Sequence, residues 1–467
     1  MKSIKIKENR PEGQIKPTDN IWKKKCQAKS VEIKSLRKRI SETKSSRDLW
    51  KGKYQNSQKR AQKGVVDLGK KARSHQYSLL IVMWIMHLQN YGKMSLRSCR
   101  HSVSSLYLVL GLSGRVPSHE SIRNWLCKHG YYRVKQAQGS EQNRVIYVDE
   151  SIVLGGEKIL LILGIGEANI PTNRCVNHED VEVLYVGSAG EWKGETIADI
   201  LKEINGKNEI PYVVSDQGTN LKKAYSLCEY PHIEDCTHVL SNFLKHIYQN
   251  DSTFEGFRQL IGVTRKSWFL SKDKSQFMPP SMRGKLRFAN IFPCVDWAKK
   301  QLENWENLEN SAESVTKNLE FLKEHQAFIE ELVAVTKIFK SVGETLKNKG
   351  FGKAQKELIL QELPSESRFK NVLIFAQNIR DYLDKLSEKS GQIGSDFLLC
   401  SSDIIESFFG KFKQKICPNS PHKLTEFIFT IANFSKNFST EEVQKALESI
   451  KIKDLKNLKN LKKVAPK

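Results

Sequence analysis

The chain has 467 residues, too many for one ordinary domain, and a hydrophobic content of 39% that is enough for a sizeable core. Its net charge of +24 is uneven: residues 1–145 hold 32 Lys and Arg against 9 Asp and Glu, whereas residues 146–467 hold 44 against 43. A positive field confined to one third of a chain implies a polyanionic partner, DNA or RNA first. The longest apolar run, Leu79 to Met86, is far short of a membrane span, and the charged amino terminus has no signal-peptide pattern. No membrane role is therefore expected. Nine Cys without paired spacing predict reduced thiols and a cytoplasmic location, nucleoid-associated in a bacterium or nuclear in a eukaryote.

Residues 1–20 are polar, carry Pro and Gly, and are expected to be a disordered tail. Residues 21–74 follow as a basic helix. A heptad seam runs Trp22, Cys26, Lys29, Ile33, Leu36, Ile40, Thr43, Arg47, Trp50, Tyr54, Ser57, in alternating steps of four and three. That spacing is read either as a short coiled coil or as a lone helix ordered on DNA. Gly64 to Lys70 superficially matches a phosphate-binding loop, but lacks the hydroxyl residue after Lys and a preceding strand, so it is rejected.

Residues 75–143 read as a compact helical unit. One helix is predicted from about Ser74 to Leu88, with Leu79, Leu80, Val82, Met83 and Met86 on its apolar face. A second follows Ser95, a third covers Val103 to Leu110, and after turn-forming residues a fourth covers His119 to His129, with Ser118 as its N-cap. A helix-turn-helix arrangement here would set Ser118, His119, Ser121, Arg123 and Lys128 against DNA, while Ile122, Trp125 and Leu126 pack inward.

At Arg144 the pattern changes. Strands are predicted at Val145–Asp149, Ile159–Leu163, Val181–Val186 and Pro211–Ser215, with helices at Glu195–Ile204 and Thr219–Leu227. The Gly155-Gly156 turn predicts antiparallel pairing of the first two strands, followed by a parallel crossover. Residues 251–395 have almost no strand signal and read as an all-helical insertion, with periodic segments at 315–322, 328–342 and 369–386. A further helix carries Ile404, Ile405, Phe408, Phe409 and Phe412 after the capping pair Ser401-Ser402, and residues 421–467 close the chain as helices and a Lys-rich tail.

Two carboxylates are placed where chemistry is expected. Asp149 ends the first predicted strand and Asp216 follows the fourth. A carboxylate at a sheet's core is costly without a cation. A pair of Mg²⁺ (or Mn²⁺) ions would supply the charge and leave room for phosphate oxygens and water. The third ligand is expected from a helix packed beside the sheet. Glu406 fits best and Asp403, three residues earlier, is its competitor; Lys411 and Lys413 would contact the DNA backbone.

The segment Val213-Val-Ser-Asp216-Gln-Gly-Thr-Asn220, followed by Cys236-Thr-His238-Val-Leu-Ser-Asn242, resembles transposases of the hAT and Mutator-like kind. In those families the second catalytic Asp precedes a Cys and His, and a helical insertion precedes the final Glu. The spacing departs in one respect: one residue, not two, separates Cys236 from His238. The resemblance implies an α/β ribonuclease-H-like mixed sheet over 144–250 and 396–420, interrupted by the all-α insertion and preceded by the all-α basic region. It implies Asp149, Asp216 and Glu406 as metal ligands, with His238 near the scissile phosphate. A DDE-type transposase would cut the inverted repeats at transposon ends and join them to target DNA, working as a homodimer or higher oligomer. The rivals are a catalytically inactive DNA-binding descendant and a structure-specific nuclease. Two local alternatives stay open: Cys236 and His238 as half a zinc site with Cys228 or His232, and Trp192 either packed or stacking on a flipped base.

Overall fold

The computed structural model describes residues 17–60, 69–111, 114–154, 157–206, 209–271, 274–282, 291–311, 313–416 and 425–456. The disordered-tail expectation for residues 1–16, the Gly155-Gly156 turn and the Lys-rich end from residue 457 lie outside these. The chain divides into two compact units, Met1–Leu68 with Arg100–Pro117, and Gly69–Cys99 with Ser118–Lys467.

The first unit is dominated by α1, Pro17–Arg60. The helix begins at Pro17, inside the stretch expected to be a tail; Pro is tolerated in a first turn because its missing N–H has no partner there anyway. In this unit the Trp50 ring meets the His101 ring edge-on at 6.4 Å.

The second unit opens with α2, Leu79–Asn90, and the start of α3, Leu96–Val109. Helix α2 starts five residues later than expected, because Ser74 takes a positive φ of 62° and Ser78 serves as the cap, its Oγ accepting from Ile81 N. Leu80, expected on the apolar face, is 62% exposed. Helix α4, His119–Gln138, begins at the expected Ser118 cap and runs two turns past the expected end.

Next come β1, Arg144–Leu154; β2, Glu157–Gly166; β3, Glu182–Ala189; α5, Gly194–Asn205; β4, Val213–Ser215; α6, Thr219–Cys228; β5, His232–Glu234; and α7, Cys236–Tyr248. The strands form one mixed sheet in the order β3-β2-β1-β4-β5. β1–β2 and β2–β3 are antiparallel, and β1–β4 and β4–β5 are parallel. The apolar residues alternate between faces, as a two-sided sheet requires. Ile146, Val148, Leu160, Ile162 and Val213 pack under α5 and α6, while Val145, Tyr147, Leu161, Leu163 and Val214 join the larger core built by the later helices.

Those later helices are α8, Ser252–Trp268; α9, Phe292–Glu303; α10, Trp305–Ser311; α11, Glu313–Leu319; α12, Phe321–Glu324; α13, Gln326–Lys349; α14, Lys353–Glu362; and α15, Lys370–Ile393. No strand interrupts the described part of this stretch. Helix α15 covers the outer edge of β5: Lys389 Nζ donates to the His232 carbonyl (2.7 Å) and the Tyr382 hydroxyl to the Glu234 carbonyl (3.4 Å). The chain then forms α16, Asp403–Lys415, a 3-10 segment Glu426–Phe434, α17, Thr440–Ser449, and α18, Ile452–Lys456.

Helix α4 was expected in a separate DNA-binding domain. It packs instead on β3 and the 3-10 segment, burying Ile122, Trp125, Leu126, Val134 and Ala137. Gly130 is what permits the closeness, since a Cβ there would lie 2.0 Å from the Phe429 carbonyl oxygen. The contact is locked by Arg133, which bonds Glu442 of α17 at 2.6 Å and also reaches the Ser435 carbonyl. Among the described residues, no helix is long and apolar enough to cross a membrane.

Candidate active site

Asp149 and Asp216 arrive from neighbouring parallel strands. The β1–β4 ladder pairs Ile146 with Val213 and Tyr147 with Val214, and continuing that register by two residues sets Asp149 beside Asp216. Asp149 does not end its strand, as the sequence had suggested, because β1 runs on to Leu154 against β2 with a bulge between Ser151 and Val153. What ends near Asp149 is the pairing with β4, which opens a notch just past the carboxyl end of β4, beside the continuing β1. Asp216 closes an Asx turn there, its Oδ1 accepting from Gly218 N at 2.9 Å.

Helix α16 reaches the same place from across the larger core. Ile404, Ile405, Phe408, Phe409 and Phe412 are buried on its inner side, and Glu406 is exposed. Burial first, and then the carboxylate of Asp216, push the Asp149 carboxyl up to about 7; Glu406 adds to the rise, while His238 opposes it. The two aspartates, Glu406 and His238 therefore share one electrostatic neighbourhood. Asp403 is instead engaged with Lys347 of α13 in an ion pair of 2.6 Å.

His238 is set in place by a residue that the sequence reading passed over. Asp235, 1% exposed, caps α7 by accepting from His238 N (3.0 Å), and the same Oδ1 faces His238 Nδ1 at 3.0 Å. A carboxylate partner at Nδ1 keeps the proton on that nitrogen. The other oxygen, Oδ2, accepts from Ser402 N (2.7 Å) and Ser402 Oγ (3.0 Å), at the residue that begins α16. Beside it Cys236 N donates to the Cys400 carbonyl at 2.7 Å. One buried carboxylate thus ties the histidine's helix to the helix that carries Glu406. Burial would raise the Asp235 carboxyl, but the hydrogen bonds from His238 and Ser402 outweigh it and hold it at about 2. Ser402 consequently donates its hydroxyl to Asp235 and leaves capping of α16 to Ser401, whose Oγ accepts from Asp403 N at 3.3 Å.

The remaining expected contacts divide into exposed and engaged groups. Ser118 and His119 are exposed, although Ser118 Oγ accepts from Ser121 N. Arg123 is held by Glu426 (3.0 Å), Glu120 (3.3 Å) and Thr425 Oγ1 (3.0 Å), and Lys128 Nζ donates to the Leu447 carbonyl at 3.1 Å. A base contact by either would require breaking these bonds. Lys413 is exposed, and Lys411 lies 5.9 Å from the centre of the Phe434 ring.

Trp192 is buried, its Nε1 donating to the Lys158 carbonyl at 3.1 Å, so it is the packed aromatic rather than a stacking platform. The zinc alternative has no assembled ligands: Cys236 is fully buried, Cys228 Sγ bonds the Ala198 carbonyl, and His232 Nε2 bonds Ser215 Oγ. More generally, among the described residues no group of three or more His, Cys, Asp or Glu is gathered closely enough to enclose a metal ion. Compared with known proteins, the chain matches no family model and none of the curated proteins.

Proposed function

We propose that the chain is a metal-dependent DNA strand-transferase of the DDE transposase type, cutting DNA at transposon ends and joining it to a target. The observation that carries this reading is the notch: Asp149 and Asp216 stand level on adjacent parallel strands, and Glu406 is near enough to raise the Asp149 carboxyl. The sheet, with three antiparallel strands followed by two parallel additions, agrees with the ribonuclease-H-like fold expected from the resemblance. The helices between β5 and α16 agree with the expected insertion.

The donors suit two Mg²⁺ or Mn²⁺ ions. They are hard carboxylate oxygens, and burial first and the neighbouring Asp216 carboxylate second push the Asp149 carboxyl up to about 7, a cost that a cation would offset. Asp149, Asp216 and Glu406 would hold the ions, Glu406 from its exposed position on α16. When bound, such ions polarise the scissile phosphate and favour an attacking hydroxide or 3′-hydroxyl. The chain's own groups do the rest. Asp149 and Asp216 hold the reacting phosphate's counter-charge at a rigid sheet edge, and Asp235 fixes the ring of His238 through Nδ1 beside them. Lys413 offers an exposed charge to the flanking backbone.

Duplex DNA is the proposed partner, gripped through the basic front end, with two copies acting together on paired ends. Asp149→Asn and Asp216→Asn are each expected to abolish Mn²⁺-dependent nicking of DNA carrying the element's ends, while leaving its binding within about twofold. Cleavage that survives either change removes the metal-site reading. Glu406→Gln should match them in loss, whereas Asp403→Asn should retain most activity.

A further inference from the structure

Helix α1 carries a second organised surface. Cys26, Lys29, Ile33, Leu36, Ile40, Thr43, Arg47 and Trp50 recur in steps of three and four, and every residue from Lys25 to Lys51 is exposed. Ile33 and Leu36 are each 49% exposed and Ile40 is 55% exposed. A seam that repeats every 3.5 residues stays aligned with another helix along its length, whereas a seam facing a globular core drifts with the 3.6 period. The neighbouring charges also bear on the occupant. In a parallel pair Glu32 lies across from Arg37 of the second copy, an attractive flanking contact, while Arg39 faces Lys44.

We propose that a second copy of α1, parallel and in register, covers this seam, and that its docking is controlled by neutralisation of the helix's own charge. Residues 17–60 hold 14 Lys and Arg against 4 Asp and Glu. Ile33, Leu36 and Ile40 form the longest run of consecutive apolar layers, and Lys29, Thr43 and Arg47 interrupt the seam on either side. Such a core is too short to overcome the repulsion of two strongly basic helices at low ionic strength. Screening, or a polyanion laid along the outer faces, removes the repulsion and leaves the seam's attraction. Self-association then rises with salt, opposite in sign to DNA affinity, which falls with salt. Pairing on DNA rests on the DNA-processing reading; pairing in salt does not.

The seam supplies its own reporter. Cys26 occupies a core position and is exposed in the single chain, so a parallel in-register pair brings the two Cys26 thiols together, and an antiparallel pair does not. The experiment is sedimentation velocity on the full chain in about 50 mM and about 500 mM NaCl, which shortens the screening length about threefold. Heparin at the lower salt is a third condition, and mild oxidation with copper-phenanthroline follows each. The expected result is a several-fold higher dimer fraction in high salt and with heparin, and a cross-linked dimer that Cys26→Ser abolishes without lowering the dimer fraction. A triple variant with Ile33→Ser, Leu36→Ser and Ile40→Ser, which alters exposed positions and no charge, should stay monomeric. A wild-type chain that remains monomeric in all three conditions overturns the proposal. So does a triple variant that associates like wild type, or a salt-induced dimer that Cys26 fails to cross-link. Cleavage assays on Asp149→Asn report on the active site separately, so the two readings can fail independently.

Discussion

At the scale of single residues, Asp149 and Asp235 show how one side-chain type acquires opposite properties. Both are acids at the sheet's working edge. Asp149 is buried and meets other carboxylates, so it holds its proton up to about 7, whereas Asp235, equally buried, meets four donor contacts and stays ionised down to about 2. The signs of their pH effects follow. Asp149, raised in the fold above its ordinary value of 3.8, contributes most below that value and loses its contribution as pH rises through about 7. Without metal, Asp149→Asn should therefore stabilise the protein at pH 8 by about 1–3 kcal/mol and do little at pH 4, measured by thermal unfolding. Added Mn²⁺ should raise the melting temperature of wild type at pH 8 and leave the variant unmoved. Asp235, lowered in the fold, contributes above its ordinary 3.8 and loses that contribution as pH falls toward about 2. Asp235→Ala should cost roughly 2–4 kcal/mol at neutral pH through the lost cap and buried hydrogen bonds, read from urea midpoints. Asp149 and Glu406 stand out in the sequence because each interrupts an apolar run, and Asp216 because it follows the predicted strand Pro211–Ser215. Asp235 does not, because it stands in the polar stretch His232-Ile-Glu-Asp235, where nothing marks one acid as buried.

At the scale of elements, the strands with consecutive apolar residues were legible and β5 was not. Strand β5 is only His232–Glu234, and its single buried residue, Ile233, gives no alternation to read. It exists because β4 offers it a parallel ladder and α15 covers its other side. Helix α4 illustrates a second limit. Its cap and inner residues were visible from spacing, but its neighbours were not, because contacts more than 300 residues away decide them: Arg123 with Glu426 and Arg133 with Glu442. Gly130 makes that packing testable. Gly130→Ala drives a methyl into the Phe429 carbonyl and should destabilise the protein by about 1–3 kcal/mol, with the loss relieved in a truncation that lacks residues 425–467. A loss unchanged by the truncation would mean that the glycine matters for some other contact.

At the scale of the whole molecule, charge and fold are separated along the chain. The basic excess lies in residues 1–145, and the near-neutral remainder holds the sheet, its notch and the covering helices. The α/β character and the long helical stretch could be read from pattern alone. Which residues of the front third would associate with the sheet could not: Gly69–Cys99 and α4 belong to the unit that contains the sheet, while Arg100–Pro117 groups with α1. Composition averages over that division, and only tertiary contact resolves it.

The covering of β5 by α15 carries a consequence for any attempt to trim the chain to its sheet. Lys389 and Tyr382 occupy the outward carbonyls of an edge strand that would otherwise present open pairing sites. A miniaturised version with a short linker in place of residues 251–395 would bare that border. It should form sheet-extended aggregates even with Asp149, Asp216 and Glu406 intact, detectable as light scattering that rises with protein concentration. The helices between β5 and α16 would then be the guard that keeps the sheet from growing.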